Sequence, residues 1–299
     1  MKNLINNKKG LVSVIMPVYN GYPLISASIK SLQNQTYPNW ECIIINDGST
    51  DHTTRFLDSL NDERFIIFHF DENKGRPYAR QKALELAKGE YIAMLDADDL
   101  YHPEKLSIQV KIMEDNPDIY LVSAGLCSFG ITTDFIRIRG KGDGKKRHYQ
   151  EDSFFAAHGP SMLRQEHAIK FSYNMYLQLG QDIDFLRRYL KGKNYIVLSD
   201  VLYYYSEFDS VNMKKISKTY KIIIKNSFRE KKYIYGLKCL MKLMFLQFIF
   251  PFLGIKQILK SRGQKPNFKE TSDFESYCLP LILDIIKSLQ CDRSHYQKK

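Results

Sequence analysis

The sequence has few cysteines, the residues that stabilise a fold through disulfides or bound zinc. Its five cysteines are scattered over 299 residues and form no CxxC pair. Neither a disulfide framework nor a zinc site is therefore suggested, and a reducing cytosol is the compartment that fits best. The N-terminal MKNLINNKKG has no apolar stretch after its basic residues, so we expect no signal peptide.

Two phosphate-binding glycine motifs are also missing. No GxGxxG follows the first apolar run, and no GxxxxGK[ST] occurs anywhere in the chain. Dinucleotide-binding and P-loop folds therefore lose support. The apolar run 243–255 is thirteen residues long and is interrupted by Pro251. It is shorter than the roughly twenty residues that a membrane-spanning helix needs.

Acidic residues are scarce in one segment. Residues 213–269 carry thirteen lysines and two arginines against one glutamate, a net charge of +14 that leaves the rest of the chain near −3. This basic, aromatic-rich segment around the apolar run predicts binding to an anionic lipid surface. A buried helix with a rim of solvated lysines is the alternative. We expect no nucleic-acid partner, because no binding motif is present.

Strands and helices alternate in the N-terminal half. The strand-like runs are 11–16, 40–45, 65–70, 91–95 and 119–129, and helical spacing occupies 24–32, 76–88 and 103–116. This alternation predicts right-handed βαβ units and a mostly parallel sheet, with Gly89 as the stop of a helix. Ligands bind outside the carboxyl ends of such strands.

Polar residues follow three of these strands. Tyr19 follows the first, Asp47 the second, and Asp96, Asp98 and Asp99 the strand 91–95. Three adjacent carboxylates repel one another unless a positive group lies among them. We favour a divalent cation shared with phosphate oxygens. A cap on the helix predicted at 103–116 explains Asp99 but not all three carboxylates.

The motifs PVYN, INDGSTD, NKGRPYARQKAL and GEYIAMLDADD, in this order and spacing, resemble the nucleotide-sugar-binding half of family 2 glycosyltransferases. The resemblance covers about residues 11–130. It implies the GT-A fold, a Rossmann-like α/β domain with a mostly parallel central sheet flanked by helices, and inverting transfer from a nucleoside diphosphate sugar. Residues 131–212 would form the acceptor half of a domain spanning 1–212. Residues 213–299 would form a basic, helical C-terminal region.

The resemblance also implies roles for individual residues. Pro17 and Tyr19 would bind the substrate, with Tyr19 stacking on the base. Asp47 would accept from a uracil N–H, and Arg80 would lie near the nucleotide. Asp96 would hold the ribose, and Asp98 would ligate Mn²⁺ or Mg²⁺ at the diphosphate. Apart from the resemblance, three of these residues also suit roles that need no ligand. Tyr19 suits packing, Asp47 suits a cap on the next helix, and Arg80 suits a solvated surface.

A second acidic candidate lies in GQDIDFLRRYL (180–190), whose spacing predicts a helix. The family places an acidic pair here, and its second member is the general base. That position is Asp182, which we favour over Asp184. The first member has become Gln181, which would still hydrogen-bond the acceptor substrate but without the charge. The helix dipole alone also favours an acid in the first turn.

Three further segments carry weaker predictions. GKGDGKKR (140–147) is typical of a mobile, exposed loop. His158 is expected to be a surface or hydrogen-bonded histidine, with substrate contact as the alternative. Glu207 replaces a histidine that the family often carries near the metal, and no role is assigned to it.

We therefore expect a metal-dependent, inverting glycosyltransferase, peripheral at the cytoplasmic face of the cell membrane. Its donor is expected to be a UDP-sugar and its acceptor a lipid-linked or polysaccharide glycan. Two alternatives remain. A nucleotidyltransferase shares the α/β fold and the acidic metal ligands. A catalytically silent, membrane-docked sugar-nucleotide binder is suggested by Gln181 and Glu207.

Overall fold

The computed structural model describes most of the chain. The described residues are 8–130, 136–151, 156–177, 180–207, 263–285 and, between 217 and 245, the continuous stretch 233–245 with isolated positions before it. Unit 1 comprises Met1–Cys127, Ile138–Tyr205 and Asn267–Lys299, and unit 2 comprises Ser128–Arg137 and Ser206–Pro266. The expected division at residue 212 stays a prediction.

The N-terminal half alternates strand and helix, as the apolar runs predicted. Its elements are β1 Lys8–Val18, α1 Leu24–Gln33, β2 Trp40–Asn46, α2 Thr53–Asp58, β3 Phe65–His69, α3 Arg76–Leu86 and β4 Gly89–Met94. The four strands are parallel neighbours in the order β3-β2-β1-β4. The order reverses between β1 and β4, and such a reversal opens a crevice at the carboxyl ends of the two strands.

The second half adds shorter, mainly antiparallel pieces. Its elements are β5 Leu100–Tyr101, α4 Lys105–Asp115, β6 Ile119–Phe129, β7 Ile136–Arg139, β8 Lys146–His148, β9 Met162–Arg164, α5 Gln165–Ala168, α6 Gln181–Leu190 and β10 Asn194–Ser206. The sheet continues from β4 in the order β9-β6-β10-β5. The pairs β4–β9, β6–β9, β10–β5 and β10–β8 are antiparallel. The predicted α/β class is confirmed, and parallel pairing is a property of its first four strands.

Two apolar layers cover the two faces of this sheet. On one face Ile29 of α1 and Val110 of α4 pack with alternate residues of β1 such as Val14. On the other face Ala83 of α3 and Phe185 of α6 pack with the intervening residues. A strand directs successive side chains to opposite faces, so the continuous apolar runs feed both layers. Helices α3 and α6 therefore lie on the same face, which brings Arg80 and Asp182 to one side of the sheet.

The C-terminal helices were only partly predicted. Residues 233–245 form α7, and α8 Phe268–Asp273 begins with a capping box between Asn267 and Glu270. A π-helical turn, Phe274–Cys278, continues α8, and its Phe274 ring packs 6.0 Å from Tyr204 of β10. Most of the apolar run 243–255 lies outside the described residues. Each described helix is too short or too polar to cross a bilayer.

One local prediction, the role of Gly89, is wrong. Gly89 starts β4 and does not end α3, and a Cβ there would lie 2.6 Å from the Leu11 carbonyl oxygen, so glycine allows β4 to approach β1. In the segment 140–147, residues 140–145 form a largely exposed loop before β8, and their predicted mobility stays a prediction. Gly142 and Gly144 donate backbone hydrogen bonds to Leu198 and Val197 of β10, and β8 extends the same pairing. A Cβ at Gly142 would lie 2.0 Å from the Val197 carbonyl oxygen, so glycine permits the close approach at that position.

Candidate functional site

The first part of the candidate site lies at the carboxyl edge of β1, β2 and β4. Pro17 near the end of β1 is paired in register with Ile45 of β2, and Tyr19 follows at 49% exposure. A half-exposed ring leaves one part open to a ligand, and packing of the covered part stays the alternative. Its stacking on a base stays a prediction. Asn20 ties this turn to the neighbouring loop, because its side chain accepts from the Thr50 N–H at 2.8 Å.

Asp47 holds the loop before α3. Its two carboxylate oxygens accept from the backbone N–H groups of Lys74 at 2.7 Å and Gly75 at 2.9 Å. Asp47 is buried and does not cap α2, so that alternative is wrong. Gly48 adopts φ +67°, and a Cβ there would lie 2.4 Å from the Glu72 backbone. Asp47 and Gly48 together fix the loop 72–75 against the end of β2.

Arg80 and Asp96 form an ion pair at the centre of the site. Arg80 Nη2 donates to Asp96 Oδ1 at 2.9 Å, and the two side chains are 5% and 24% exposed. Burial favours a higher pKa for Asp96, but Arg80 and Arg76 outweigh it and hold the pKa at about 2. The surface alternative for Arg80 is wrong, since it is a buried member of the site.

The three aspartates after β4 have separate environments. Asp96 pairs with Arg80, and Asp99 is buried and accepts from the Tyr203 hydroxyl at 2.6 Å. Asp98 alone is exposed. Asp99 does not cap α4, whose N-cap is Glu104. Arg80 therefore already supplies a positive charge to these carboxylates, so their mutual repulsion does not by itself require a metal ion.

Helix α6 brings the second acidic candidate to the same place. Gly180 at φ +77° precedes the helix, Gln181 is buried, and Asp182 is partly exposed in the first turn. Burial lowers the pKa of Arg80, but Asp96, Tyr173 and Asp182 outweigh it and raise the pKa overall. Asp182 thus acts on the same guanidinium as Asp96.

Asp184 is engaged elsewhere on α6. Its carboxylate accepts from Arg188 of the same helix at 2.7 Å. This i,i+4 ion pair distinguishes Asp184 from Asp182. Among the described residues, the one hydrogen bond to the Asp182 carboxylate comes from the adjacent Ile183 N–H, at 2.9 Å to Oδ1. The geometry supports the choice of Asp182 over Asp184, and the role of general base stays a prediction.

His158 lies beside this cluster and is buried, with 5% exposure. Its Nε2 is 2.8 Å from the Tyr173 hydroxyl, and the Tyr173 ring stacks on Phe185 of α6 at 4.3 Å. The hydrogen-bonded histidine that the sequence suggested is present, although it is not at the surface. Burial and then Arg80 lower the pKa of His158 to about 3, so the imidazole is neutral at physiological pH.

Glu207, for which the sequence assigned no role, is part of unit 2. It forms an ion pair with Arg137, and both side chains are almost completely buried, at 3% and 5% exposure. The charge that would repel a phosphate is therefore compensated by a guanidinium.

Sequence reasoning missed two tyrosines. Tyr203 binds Asp99 and its oxygen also accepts from the Asp96 N–H at 3.3 Å, while Tyr173 binds His158. Tyr203 is one of three consecutive tyrosines, 203–205, and the sequence does not distinguish it from its neighbours. The glycine after His158, Gly159, packs so closely on the Tyr203 ring that a Cβ would lie 2.7 Å from it. Tyr173 stands among many tyrosines in the sequence and carries no motif.

The chain is similar in sequence to bacterial glycosyltransferases. In Escherichia coli, the UDP-Glc:alpha-D-GlcNAc-diphosphoundecaprenol beta-1,3-glucosyltransferase WfgD is 42% identical over 106 residues, 36% of this chain and 42% of that protein. The E. coli enzyme WfaP, named for the same activity, is 39% identical over 126 residues, 42% of this chain and 49% of that protein. The chain thus spans less than half the length of these relatives.

Solved structures share the fold. The S. aureus TarS 1-349 structure in complex with UDP-GlcNAc aligns with a TM-score of 0.57 and 19% identity, covering 81% of this chain and 73% of that chain. The mannosyltransferase PcManGT of Pyrobaculum calidifontis, in complex with GDP-Man and Mn2+, aligns with a TM-score of 0.55 and 15% identity, covering 91% and 87%. The sequence model "Glycosyl transferase family 2" matches residues 13–171, more than half of the chain. With its motifs at the reversal of the sheet order and this match, the chain belongs to glycosyl transferase family 2.

Proposed function

We propose that this chain transfers a sugar, with inversion and with the help of a divalent metal, from a UDP-sugar to a hydroxyl of a lipid-linked or polysaccharide acceptor. The observation that carries the proposal is the arrangement of three groups on one side of the sheet. The Arg80–Asp96 pair lies at its centre, exposed Asp98 follows it, and Asp182 acts on Arg80 from α6.

The donor nucleotide is proposed to occupy the crevice between β1 and β4. The exposed face of Tyr19, beside Pro17, suits stacking on the base. Asp47 would accept from a uracil N–H, since each carboxylate oxygen can accept more than the one bond it already makes. Asp96 would hold the ribose. UDP and UDP-GlcNAc in the TarS complexes support a uridine donor.

The residues after β4 suit a phosphate-bound metal better than a site built by protein alone. Among the described residues no group of three or more His, Cys, Asp or Glu is arranged to hold an ion. Mg²⁺ and similar ions are commonly held by one or two carboxylates plus substrate phosphates, and exposed Asp98 fits that pattern. A bound Mn²⁺ or Mg²⁺ would neutralise charge on the leaving diphosphate.

Asp182 is proposed as the general base. The acceptor hydroxyl oxygen forms a bond to the anomeric carbon while the bond from that carbon to the diphosphate breaks, and Asp182 takes the hydroxyl proton. Attack in line with the leaving group inverts the anomeric configuration. Arg80 places one positive charge near both Asp96 and Asp182, which links the donor and acceptor ends of the reaction.

The acceptor is proposed to be lipid-linked and reached from the cytoplasmic face of the membrane. The names of WfgD and WfaP specify a diphosphoundecaprenol acceptor, which supports this class. Helix α7 supports a membrane surface, because Ile234, Met241 and Phe245 are exposed and lie near Lys238 and Lys242. An exposed apolar face with lysines is typical of helices that bind anionic lipid.

Calorimetric titration of UDP, with and without Mn²⁺, tests the donor site. Wild type is expected to bind UDP in a Mn²⁺-dependent way, and Asp98→Ala is expected to lose that dependence. Asp115→Ala is the matched control, because Asp115 is an exposed carboxylate in a surface ion pair with Lys111. Wild type that binds UDP equally well with and without Mn²⁺ contradicts the metal role of Asp98. Absence of UDP binding with any metal contradicts the uridine assignment of Asp47.

A further inference from the structure

Two buried polar atoms lie beside the catalytic candidates. His158 and Gln181 are each 5% exposed, and the ring Nδ1 of His158 and the amide Oε1 of Gln181 have no hydrogen-bond partner among the described residues. Buried polar atoms are normally paired, because an unpaired one loses its bonds to water without replacement. Two such atoms beside the Arg80–Asp96 pair indicate that a ligand completes their hydrogen bonds.

The other ring nitrogen of His158 fixes its chemical form. The Tyr173 hydroxyl lies 2.8 Å from Nε2, and Arg80 is close enough to act on the same phenol. Tyr173 is buried, and Nε2 is the one hydrogen-bond partner of its hydroxyl among the described residues, so the O–H finds its acceptor by donating to Nε2. A neutral imidazole that accepts at Nε2 carries its proton on Nδ1. The open atom of His158 is therefore a hydrogen-bond donor.

Gln181 supplies the complementary acceptor. It begins α6 one turn before Phe185, and residues four apart lie on the same face of a helix. The Phe185 ring stacks on Tyr173 and lies 6.5 Å from the His158 ring. Gln181 and His158 therefore belong to one surface, the wall, which consists of His158, Tyr173, Phe185 and the first turn of α6 with Gln181 and Asp182. The amide oxygen of Gln181 is a hydrogen-bond acceptor on this wall.

The position of this wall selects one part of the substrate. The charges of Arg80, Asp182 and Asp96 all act on His158. In the proposed reaction the donor sugar lies between the leaving diphosphate, held near Asp96 and Asp98, and the acceptor hydroxyl at Asp182. His158, which is within electrostatic reach of both Asp96 and Asp182, therefore lies beside the proposed position of the donor sugar.

We propose that His158, held by Tyr173 as the Nδ1–H tautomer, and Gln181 together bind one hydroxyl of the donor sugar and determine which sugar is accepted. A hydroxyl both donates and accepts, so it satisfies the His158 donor and the Gln181 acceptor at once. A sugar without a hydroxyl at that position leaves two buried polar atoms unpaired and is rejected. This inference rests on the proposed function, since it needs a nucleotide-sugar donor.

Two isosteric variants of His158 separate its two nitrogens. In His158→Asn the amide nitrogen takes the place of Nδ1, so the donor to the sugar is kept and the bond to Tyr173 is lost. In His158→Gln the amide nitrogen takes the place of Nε2, so contact with Tyr173 is kept and the donor to the sugar is lost. Gln181→Met removes the acceptor at nearly constant volume.

The experiment is calorimetric titration of the full chain in Mn²⁺ with UDP, UDP-glucose, UDP-galactose and UDP-GlcNAc. The quantity compared is the ratio of the Kd for UDP to the Kd for each UDP-sugar. Wild type is expected to bind one UDP-sugar more tightly than UDP. His158→Gln and Gln181→Met are each expected to lower that ratio about tenfold, the cost of one unpaired buried polar atom. His158→Asn is expected to retain most of it.

The affinity for UDP alone is the internal control, because UDP lacks the sugar and should bind all variants as it binds wild type. Unchanged ratios in both His158→Gln and Gln181→Met overturn the inference, as does a wild type that binds UDP and every UDP-sugar equally. A His158 variant that no longer binds UDP has lost the fold, and Gln181→Met then decides. A wild type that binds no nucleotide contradicts the proposed function itself.

Discussion

The two sides of the candidate site are held by different kinds of contact. On the donor side, in the loops after β1 and β2, side chains accept hydrogen bonds from backbone N–H groups. Asp47 accepts from two N–H groups of the loop before α3, and Asn20 accepts from the N–H of Thr50. On the opposite wall, side chains hold side chains, as His158 does with Tyr173. The loops after β1 and β2 are therefore held through the backbone, whereas the wall is where the proposed recognition of the donor sugar would act.

Arg80 connects the two sides. It donates to Asp96 on the donor side, and its charge acts on Tyr173, His158 and Asp182 on the wall. A nearly buried guanidinium with carboxylates on two sides couples their positions. Variants that act on one side, on the other, or on Arg80 itself therefore test how far the comparison holds.

The largest effect is expected for Asp182→Asn on the wall. Loss of the general base should lower turnover of a UDP-sugar about 10²–10⁴-fold while Mn²⁺-dependent UDP binding is unchanged. The measurement is UDP release with an undecaprenyl-diphosphate-linked sugar as acceptor. Asp184→Asn is the matched control on the same helix, because Asp184 already pairs with Arg188. Equal loss in both variants would show that charge on α6, and not a specific base, is needed.

Removal of the Arg80 guanidinium is expected to affect both the donor side and the wall. Arg80→Met should lower the free energy of unfolding by about 3–5 kcal/mol, because it leaves Asp96 without its cation. Urea denaturation measures this change. Asp96→Asn combined with Arg80→Met should recover part of the loss, and no recovery would show that the pair contributes only through packing.

The same pair sets an acid limit. The pKa of Asp96 is about 2, below its value of about 3.9 in an unfolded chain. Its ionised form therefore adds stability above about pH 4, and that contribution is lost as the pH falls toward 2. The difference in stability between wild type and Asp96→Asn should be largest near neutral pH and should shrink over that range. A difference independent of pH would contradict the lowered pKa.

On the donor side, Gly48→Ala should weaken UDP binding and lower stability. Its Cβ would enter the Glu72 backbone at a φ of +67°, so both clash and backbone strain act. Gly140→Ala is the control, since φ is +68° there and no atom lies within 4 Å of the added Cβ. We expect about 1 kcal/mol for Gly140→Ala and clearly more for Gly48→Ala. Equal losses would mean that strain alone matters.

The smallest effect is expected in unit 2. Lys238→Glu with Lys242→Glu on α7 should reduce sedimentation with vesicles containing anionic lipid, at about 1 kcal/mol per lysine removed near the surface. UDP binding should not change, because neither side of the site is touched. Lys111→Glu on α4 is the control for a general change in charge. Unchanged sedimentation would contradict the membrane contact of α7.

Much of the frame was predictable from the sequence. The runs that became β1 to β4 and β6 were recognised because a strand buried on both faces is continuously apolar, which leaves a local signal. The helices between them left an equally local signal, because their apolar residues recur at helical spacing. Gly89 was misassigned because a glycine that permits close strand approach has the same sequence appearance as a helix stop.

The partners of the site residues could not be predicted. The α/β order, and the positions of Tyr19, Asp47 and the aspartates after β4 at strand ends, followed from the sequence because they depend on neighbours a few residues away. Packing in three dimensions was needed to bury Arg80 against Asp96, to bring Tyr203 to Asp99, and to place Tyr173 on His158. The Tyr203–Asp99 contact joins residues 104 positions apart. Such contacts arise when distant elements meet on the sheet, and no local pattern records them.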